Sequence, residues 1–287
     1  MTYSIKTIGV VGAGTMGAGI AQVIATSGFD VVLIDAEDEF VERGMSRIHG
    51  DLAKSVSRGH IAQDVHDAAV ARIAAGTDYT ALANCQVVIE AVPETLAIKE
   101  PVLTKISENV SPDCIIASNT SSLSIADLST FVANPSRVVG MHFFNPVPRM
   151  ELVEVVAGNT TEETTAETVT ALAKSLGKTP VRSADRAGFI VNRILIPMIN
   201  EAIQALHEGV GSAEDIDTAM KLGAAHPMGP LALGDLIGLD VVLDIMRVLE
   251  DAYGEKYAPS PLLIDRVESG RLGRKSGKGF FEYGGSK

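Results

Sequence analysis

Side chains able to transfer protons gather in two short stretches of this 287-residue sequence. The first is the hydroxyl-rich run Ser118 to Ser122, and the second begins at His142 and ends at Glu154. Both stretches follow apolar runs rich in β-forming residues, at 114–117 and 138–141, so both are predicted to leave the carboxyl ends of strands. Ligands of open α/β sheets bind at that edge. The spacing therefore predicts a hydroxyl, an imidazole and a carboxylate at one edge of a sheet.

His142 and Glu154 form a candidate proton-transfer pair. Glu154 lies within the apolar run 152–156, where a buried carboxylate without a partner is costly. If one ring nitrogen of His142 donates to it, the carboxylate fixes the tautomer and stabilises the imidazolium, and the other nitrogen acts as a general acid or base. The alternative is a core histidine beside a glutamate of an edge strand.

A glycine-rich turn near the amino terminus predicts a dinucleotide site. It follows the apolar run 5–11, which is predicted to be a buried strand, and it opens a helix. The three glycines permit a tight turn, close approach to a pyrophosphate and close contact between helix and strand, and the helix amino terminus favours phosphate. The alternative is a turn that binds no nucleotide. The turn consists of Gly12, Ala13, Gly14, Thr15, Met16 and Gly17.

Asp35 completes this dinucleotide pattern because it ends a second predicted strand, residues 31–34. Its carboxylate is predicted to accept hydrogen bonds from the hydroxyls of the adenosine ribose. A 2′-phosphate would be repelled by Asp35 and by the nearby Glu37 and Asp38. The sequence therefore favours NAD over NADP as the cofactor.

Composition limits the class of protein. With 46% hydrophobic residues, a formal net charge of −12 and a pI of about 4.9, the chain predicts a large core and argues against partners such as nucleic acid or a membrane surface. Cys85 and Cys114 lie in apolar runs and are predicted to be reduced, buried thiols of a cytoplasmic protein. The glycines near the amino terminus interrupt any signal-peptide core, and no metal site is predicted.

The order of predicted elements indicates the fold class. Helices at 40–58 and 98–109 alternate with strands at 73–77, 87–90 and 114–117, which predicts a Rossmann-type, doubly wound and mainly parallel α/β sheet.

Helical patterns replace this alternation in the carboxyl-terminal third. The run 188–206 is apolar on almost every face and predicts a helix buried on all sides, and 236–249 predicts another helix. We therefore predict an NAD-binding Rossmann-type domain at 1–184 and a helical substrate and dimerisation domain at 185–287. Its surplus of apolar surface indicates a subunit interface.

Six motifs in unbroken order resemble the 3-hydroxyacyl-CoA dehydrogenase family, most of all its bacterial 3-hydroxybutyryl-CoA members. The resemblance implies NAD-dependent oxidation of an (S)-3-hydroxyacyl-CoA to the 3-ketoacyl-CoA, or reduction of acetoacetyl-CoA, in fatty acid metabolism. It also implies a homodimer. Two other classes stay open: a sugar-acid or small 3-hydroxy-acid dehydrogenase of the same architecture, and a non-catalytic nucleotide-binding regulator. The motifs lie at 12–17, 118–123, 142–148, 188–193, 227–230 and 278–281.

The resemblance also implies roles for individual residues. From spacing alone, Glu94 and Lys99 fit a solvated ion pair equally well, and Asn192 fits a buried polar residue that pins its helix. Where the family has a serine that contacts CoA, this chain has Asp51. The implied catalytic residues are His142, Glu154, Ser121 and Asn192, of which Ser121 and Asn192 also bind substrate. The implied cofactor contacts, besides the glycine turn, are Asp35, Glu94, Lys99, Asn119, Asn145 and Lys275.

Helical geometry suggests where the CoA phosphates bind. At about 100° per residue, four basic side chains of the helix 40–58 share one face, opposite an apolar face. Our hypothesis is that Lys54 and Arg58, nearest the helix end, contact the CoA phosphates, and the alternative is an ordinary solvated face. The basic face consists of Arg43, Arg47, Lys54 and Arg58, and the apolar face of Met45, Ile48, Leu52 and Val56.

Overall fold

The computed structural model describes residues 5–284, and the chain divides into two compact units, the first ending at Arg186 and the second beginning at Ala187. The predicted boundary after residue 184 falls slightly earlier. Asp185 belongs with the first unit because its carboxylate accepts hydrogen bonds from the backbone amides of Ile125 and Ala126.

Within the described residues, the first unit contains one eight-stranded sheet of order β3-β2-β1-β4-β5-β6-β7-β8. All neighbouring strands are parallel except β6 and β7, which are antiparallel. The predicted mainly parallel, Rossmann-type sheet is therefore confirmed. The strand order reverses between β1 and β4, which is where such sheets bind ligands. The strands are β1 (Thr7–Val11), β2 (Asp30–Ile34), β3 (Ile73–Gly76), β4 (Val87–Glu90), β5 (Ile115–Ser118), β6 (Val138–Phe143), β7 (Leu152–Ala157) and β8 (Thr179–Ala184).

Six α-helices accompany this sheet in the described part of the first unit, and apolar side chains of strands and helices form its core. The second helix continues through Gly44 and Gly50 without interruption. Gly44 is needed there, because a Cβ at this position would lie 2.7 Å from the Cβ of Ala13 in the glycine turn. The helices are α1 (Thr15–Thr26), α2 (Asp38–Ser57), α3 (Gln63–Ala71), α4 (Leu96–Asn109), α5 (Ile125–Ser129) and α6 (Glu163–Ser175).

The second unit is helical over its described residues, and its first helix corrects one prediction. Within this chain, the buried side chains of α7 follow a single stripe at helical spacing, and Ile194 on another face is 67% exposed. The prediction of a helix buried on all sides is therefore wrong for the chain by itself. The buried stripe consists of Asn192, Ile196, Ile199 and Ile203. The helices are α7 (Val191–His207), α8 (Ala213–Gly223), α9 (Pro230–Ile237), α10 (Leu239–Tyr253) and α11 (Pro261–Glu268).

Gly238 explains why the single helix predicted at 236–249 is two helices. Its φ of 107° lies in the left-handed region that favours glycine, so the chain turns there between α9 and α10. None of the helices within residues 5–284 has the length and apolar character needed to cross a membrane.

Candidate active site

His142 and Glu154 lie opposite each other in the antiparallel pair formed by β6 and β7. The Nδ1 atom of His142 is 2.8 Å from Oε2 of Glu154, and both side chains are buried. His142 lies at the carboxyl end of its strand, as predicted, and β6 extends one residue further, to Phe143. The strand continues because pairing with β7 holds it in extended form. The register itself therefore sets the imidazole against the carboxylate.

The hydroxyl-rich stretch leaves β5 at Ser118 and forms the serine loop, residues 119–124, before α5. Asn119 connects this loop to the neighbouring strand, because its Oδ1 accepts a 2.9 Å hydrogen bond from the backbone amide of Phe143. The amide that donates belongs to the residue after His142. The structure thus brings the two stretches together at the carboxyl edge of the sheet, where the parallel strands end.

Glu94 holds the serine loop from the side of β4. One of its oxygens, Oε1, accepts from Oγ1 of Thr120 at 2.6 Å and from the amides of Ser121 and Ser122 at 2.7 and 3.0 Å. Burial acts to raise the pKa of the Glu94 carboxyl, but the charge of Lys99 and these hydrogen bonds outweigh it, and the net pKa is lowered. The Glu94 carboxylate is therefore an anionic acceptor that binds three successive residues of the serine loop.

Lys99 is buried, with only 1% of its surface exposed. Its Nζ atom lies 2.7 Å from Oε1 of Glu90 and 3.3 Å from Oε2 of Glu94. The alternative of a solvated Glu94–Lys99 pair is therefore wrong. Sequence reasoning overlooked Glu90, although a carboxylate at the end of the apolar run 87–89 was a signal that a partner had to be present.

The glycine turn between β1 and α1 fits a dinucleotide phosphate. Gly12 has a φ of 103°, and a Cβ on Gly17 would lie 1.7 Å from the Gly12 carbonyl oxygen, so neither position accepts another residue without strain. In the described part of the chain, no atom apart from Gly14 itself and its two chain neighbours lies within 4 Å of a Cβ built on Gly14. Thr15 begins α1, whose first turn holds no acidic residue and whose N-cap makes no side-chain hydrogen bond. The amino-terminal amides of α1 are thus suited to an anion.

Asp35 follows β2 directly and faces this turn. Its Oδ2 accepts a 2.6 Å hydrogen bond from the amide of Ala13, and its Oδ1 accepts from the amide of Ala36. The carboxylate is thereby fixed beside the turn, in the position that the dinucleotide pattern requires of the acid.

The basic face of α2 borders a cavity of about 720 Å³ in the first unit. Lys54 lies in the last turn of α2 and Arg58 caps it, and both are exposed. Asp51 is also part of the wall, with its Oδ1 3.4 Å from Nζ of Lys54. Three further basic residues that sequence reasoning did not select also line the cavity: His60, Arg149 and Lys178.

Three predicted site residues lie outside these clusters. Asn145 is exposed in the segment after β6. Asn192 is buried in the first turn of α7, and Lys275 donates to Asp240, both within the second unit. Within residues 5–284, no group of three or more histidine, cysteine or acidic side chains is arranged to hold a metal ion.

A glycine turn with its acid and a buried histidine–carboxylate pair, both on one mainly parallel sheet, are typical of nicotinamide-dependent dehydrogenases. Residues 7–186 match the sequence family described as 3-hydroxyacyl-CoA dehydrogenase, NAD binding domain, and residues 188–283 match the C-terminal domain of the same enzymes. The chain belongs to the 3-hydroxyacyl-CoA dehydrogenase family, and NAD is its cofactor. The resemblance stated from the sequence motifs is thus confirmed.

Relatives cover all or nearly all of the chain. A 3-hydroxybutyryl-CoA dehydrogenase of Bradyrhizobium diazoefficiens is 48% identical over 100% of this chain and 98% of that protein. A probable 3-hydroxybutyryl-CoA dehydrogenase of Deinococcus radiodurans is 50% identical over 96% of this chain and 99% of that protein. The crystal structure of (S)-3-hydroxybutyryl-CoA dehydrogenase from Ralstonia eutropha matches with a TM-score of 0.95 at 46% identity, covering 98% of this chain and 100% of that one.

Proposed function

We propose that this protein oxidises an (S)-3-hydroxyacyl-CoA, with 3-hydroxybutyryl-CoA as its substrate, to the 3-ketoacyl-CoA, or catalyses the reverse reduction of acetoacetyl-CoA. The observation that carries the proposal is the buried His142–Glu154 pair at the carboxyl edge of the sheet. The glycine turn between β1 and α1 of the same sheet fits a dinucleotide phosphate. The names of the relatives support the choice of substrate.

In the proposed mechanism, His142 takes the proton of the C3 hydroxyl during oxidation and returns it during reduction. Glu154 engages Nδ1, so Nε2 is the nitrogen that exchanges the proton, and the carboxylate stabilises the imidazolium that results. NAD supplies hydride transfer when it is bound. Ser121 and Asn192 hydrogen-bond the reacting oxygen and the thioester carbonyl, which orients C3 for the reaction.

Among the cofactor contacts, we propose that the glycine turn binds the pyrophosphate and that Asp35 binds the adenosine ribose. Asn119 and Asn145 lie on the two segments that adjoin His142. We propose that they contact the cofactor, as the family implies, and we propose the same role for Lys275. The acid at position 35 should make NADP a poor substitute for NAD, as measured by kcat/KM for each cofactor. Equal values would contradict the role of Asp35.

We propose that the CoA phosphates bind at the 720 Å³ cavity beside α2, through Lys54 and Arg58. Arg149 and Lys178 add positive charge to the same wall. The Nζ atom of Lys178 donates to the carbonyls of Val147 and Met150, so this ammonium is held in a fixed place. A local basic wall of this kind attracts a polyanionic ligand even though the chain as a whole has a net charge of −12.

The helical second unit supports a proposal of homodimerisation. Its large exposed apolar side chains include Ile194, Val210 and Leu222, which are 67%, 74% and 82% exposed in the single chain. Burying them between two copies would remove apolar area from water. Light scattering should then give twice the chain mass of 30.1 kDa. We also propose that the protein is cytoplasmic, because both of its cysteines are free thiols in the structure.

The decisive experiment compares acetoacetyl-CoA with free acetoacetate as substrates, following the loss of NADH absorbance. We expect rapid turnover of the thioester and little turnover of the free acid. Comparable rates for the two would favour a small 3-hydroxy-acid dehydrogenase, and binding of NADH without turnover of either would favour a regulator.

A further inference from the structure

Glu90 is a completely buried carboxylate for which the proposed mechanism has no use. It ends β4, the strand between β1 and β5 in the middle of the sheet. Its Oε1 accepts from Nζ of Lys99 at 2.7 Å and from the amide of Val92 at 2.8 Å, and its Oε2 accepts from Oγ of Ser118 at 2.6 Å. Burial of this charge is tolerated only because every one of these donors is in place.

Lys99 connects Glu90 to Glu94. Its ammonium group has three N–H donors, and three oxygens surround it: one from Glu90, one from Glu94 and the carbonyl of Val92. The donors of Lys99 are therefore directed at the protein in this structure. A direct contact of Lys99 with the cofactor is not required to explain why this side chain is buried at the carboxyl edge.

Glu94 in turn holds the serine loop in place. Its Oε1 receives the amides of Ser121 and Ser122, and Oγ of Ser121 itself lies 3.2 Å from the same oxygen. The other end of the segment is tied to Glu90, because Ser118 donates to Glu90 and accepts from the amide of Thr120. Both sides of Ser121 are thus fixed by one cluster of charges.

We propose that Glu90 is a positioning residue for Ser121, acting through Lys99 and Glu94 on one side and through Ser118 on the other. This inference rests on the proposed function, in which Ser121 orients the substrate. A misplacement of about 1 Å in such a site can lower the rate by about 100-fold. Loss of the Glu90 charge would leave Lys99 unbalanced and free to draw Glu94 away from the loop.

The test compares Glu90→Gln with the parent. We expect kcat for acetoacetyl-CoA to fall by about 10- to 100-fold while the dissociation constant of NADH changes less than about twofold. Hydrogen exchange at residues 119–124, followed by mass spectrometry, should become faster. Glu90→Asp, which keeps the charge, should recover part of kcat. Glu163→Gln removes an exposed carboxylate that pairs with Arg182, and it should leave kcat and exchange unchanged.

Coupling between residues separates positioning from general damage to the fold. If Glu90 acts through Lys99, the double variant with Glu90→Gln and Lys99→Met should lose much less kcat than the product of the losses in the two single variants. Ser118→Ala removes two hydrogen bonds, the one donated to Glu90 and the one accepted from the Thr120 amide, and leaves the Glu90–Lys99 pair intact, so it decides the matter should Glu90→Gln fail to fold. We expect Ser118→Ala to lower kcat severalfold in a protein that still folds, with a lower melting temperature because a buried carboxylate oxygen loses its donor.

The outcomes distinguish this inference from the proposed function. A parent enzyme without turnover of acetoacetyl-CoA would overturn the proposed function, and loop exchange in Glu90→Gln would still test the positioning. An active parent whose Glu90→Gln or Ser118→Ala variant keeps kcat within twofold, with unchanged loop exchange, would overturn the inference about Glu90.

Discussion

The two edges of the sheet bury ionisable side chains in different ways. At the carboxyl edge, Glu90 and Glu154 each lie within 2.8 Å of a nitrogen of a basic side chain. At the amino edge, Cys85 and Cys114 precede β4 and β5 and line a cavity of about 290 Å³. Burial raises the pKa of Cys85 to about 11, and burial together with the neighbouring Cys85 raises that of Cys114 to about 12.

Burial by itself therefore does not make an ionisable side chain reactive at either edge. A thiol whose pKa lies so far above neutrality stays protonated and packs like a small apolar residue. A carboxylate with a basic partner at hydrogen-bond distance can stay charged and can stabilise a proton on that partner. The partners at the carboxyl edge arrive on other strands and helices, which is why the difference depends on the fold.

The largest expected effect is at the carboxyl edge. His142→Gln should lower kcat by about 10²- to 10⁴-fold, because a general acid or base supplies that factor, while NADH binding measured by fluorescence is retained. Cys114→Ala at the amino edge is the matched control and should keep the parent kcat. A His142→Gln enzyme within about tenfold of the parent would show that the imidazole is not the proton acceptor.

Glu154→Gln should be nearly as harmful, since the imidazolium loses its counter-charge. The dependence of kcat on pH should change together with its magnitude. An unaltered pH–rate profile in this variant would mean that the two residues are not coupled in catalysis, in spite of the 2.8 Å contact.

A smaller effect on activity is expected from replacing exposed charged side chains, because they lack buried partners such as those at the carboxyl edge. Replacing both Lys54 and Arg58 by alanine should raise KM for acetoacetyl-CoA, leave KM for NADH unchanged and weaken the salt dependence of CoA binding. Arg43→Ala is the control, because Arg43 shares the basic face but pairs with Glu39. If the double variant keeps the parent KM and salt response, the basic face is only solvated surface.

The smallest effect on activity is expected at the amino edge. A shift of the Cys85 pKa from 9.0 to about 11 lowers the thiolate fraction about 100-fold at pH 8, so alkylation by iodoacetamide should be slow in the folded protein and fast in guanidinium. Mass spectrometry of the labelled chain measures the difference. Rapid labelling of native protein would show that the amino edge opens, and would weaken the contrast between the two edges.

Some parts of the site could be read from local patterns. The glycine turn, the strand before it and the acid after β2 are close in sequence, and only glycine tolerates the backbone at Gly12 and the contact at Gly17. The choice of His142 and Glu154 as partners also followed from residue type, because a carboxylate in an apolar strand needs a donor. The roles of these residues in catalysis stay predictions.

Other parts depended on contacts between distant segments. Spacing alone left Glu94 and Lys99 as a possible solvated pair, because the burial of Lys99 arises only when α4 packs beside β4. The apolar composition of α7 predicted burial on every side, but a helix can bury only the faces that neighbours cover, and Ile194 remains 67% exposed in the single chain.

The sequence by itself determined the alternation of strands and helices, the dinucleotide turn and the residue types at the carboxyl edge, because these follow from short-range sterics and periodicity. The tertiary structure decided that β7 runs antiparallel to β6 and that Glu90 meets Ser118 across 28 positions of sequence. Such partners are selected by the packing of the sheet and its helices. No local pattern specifies which of several buried polar groups will end within 3 Å of one another, since that distance is set by strand register and helix placement together.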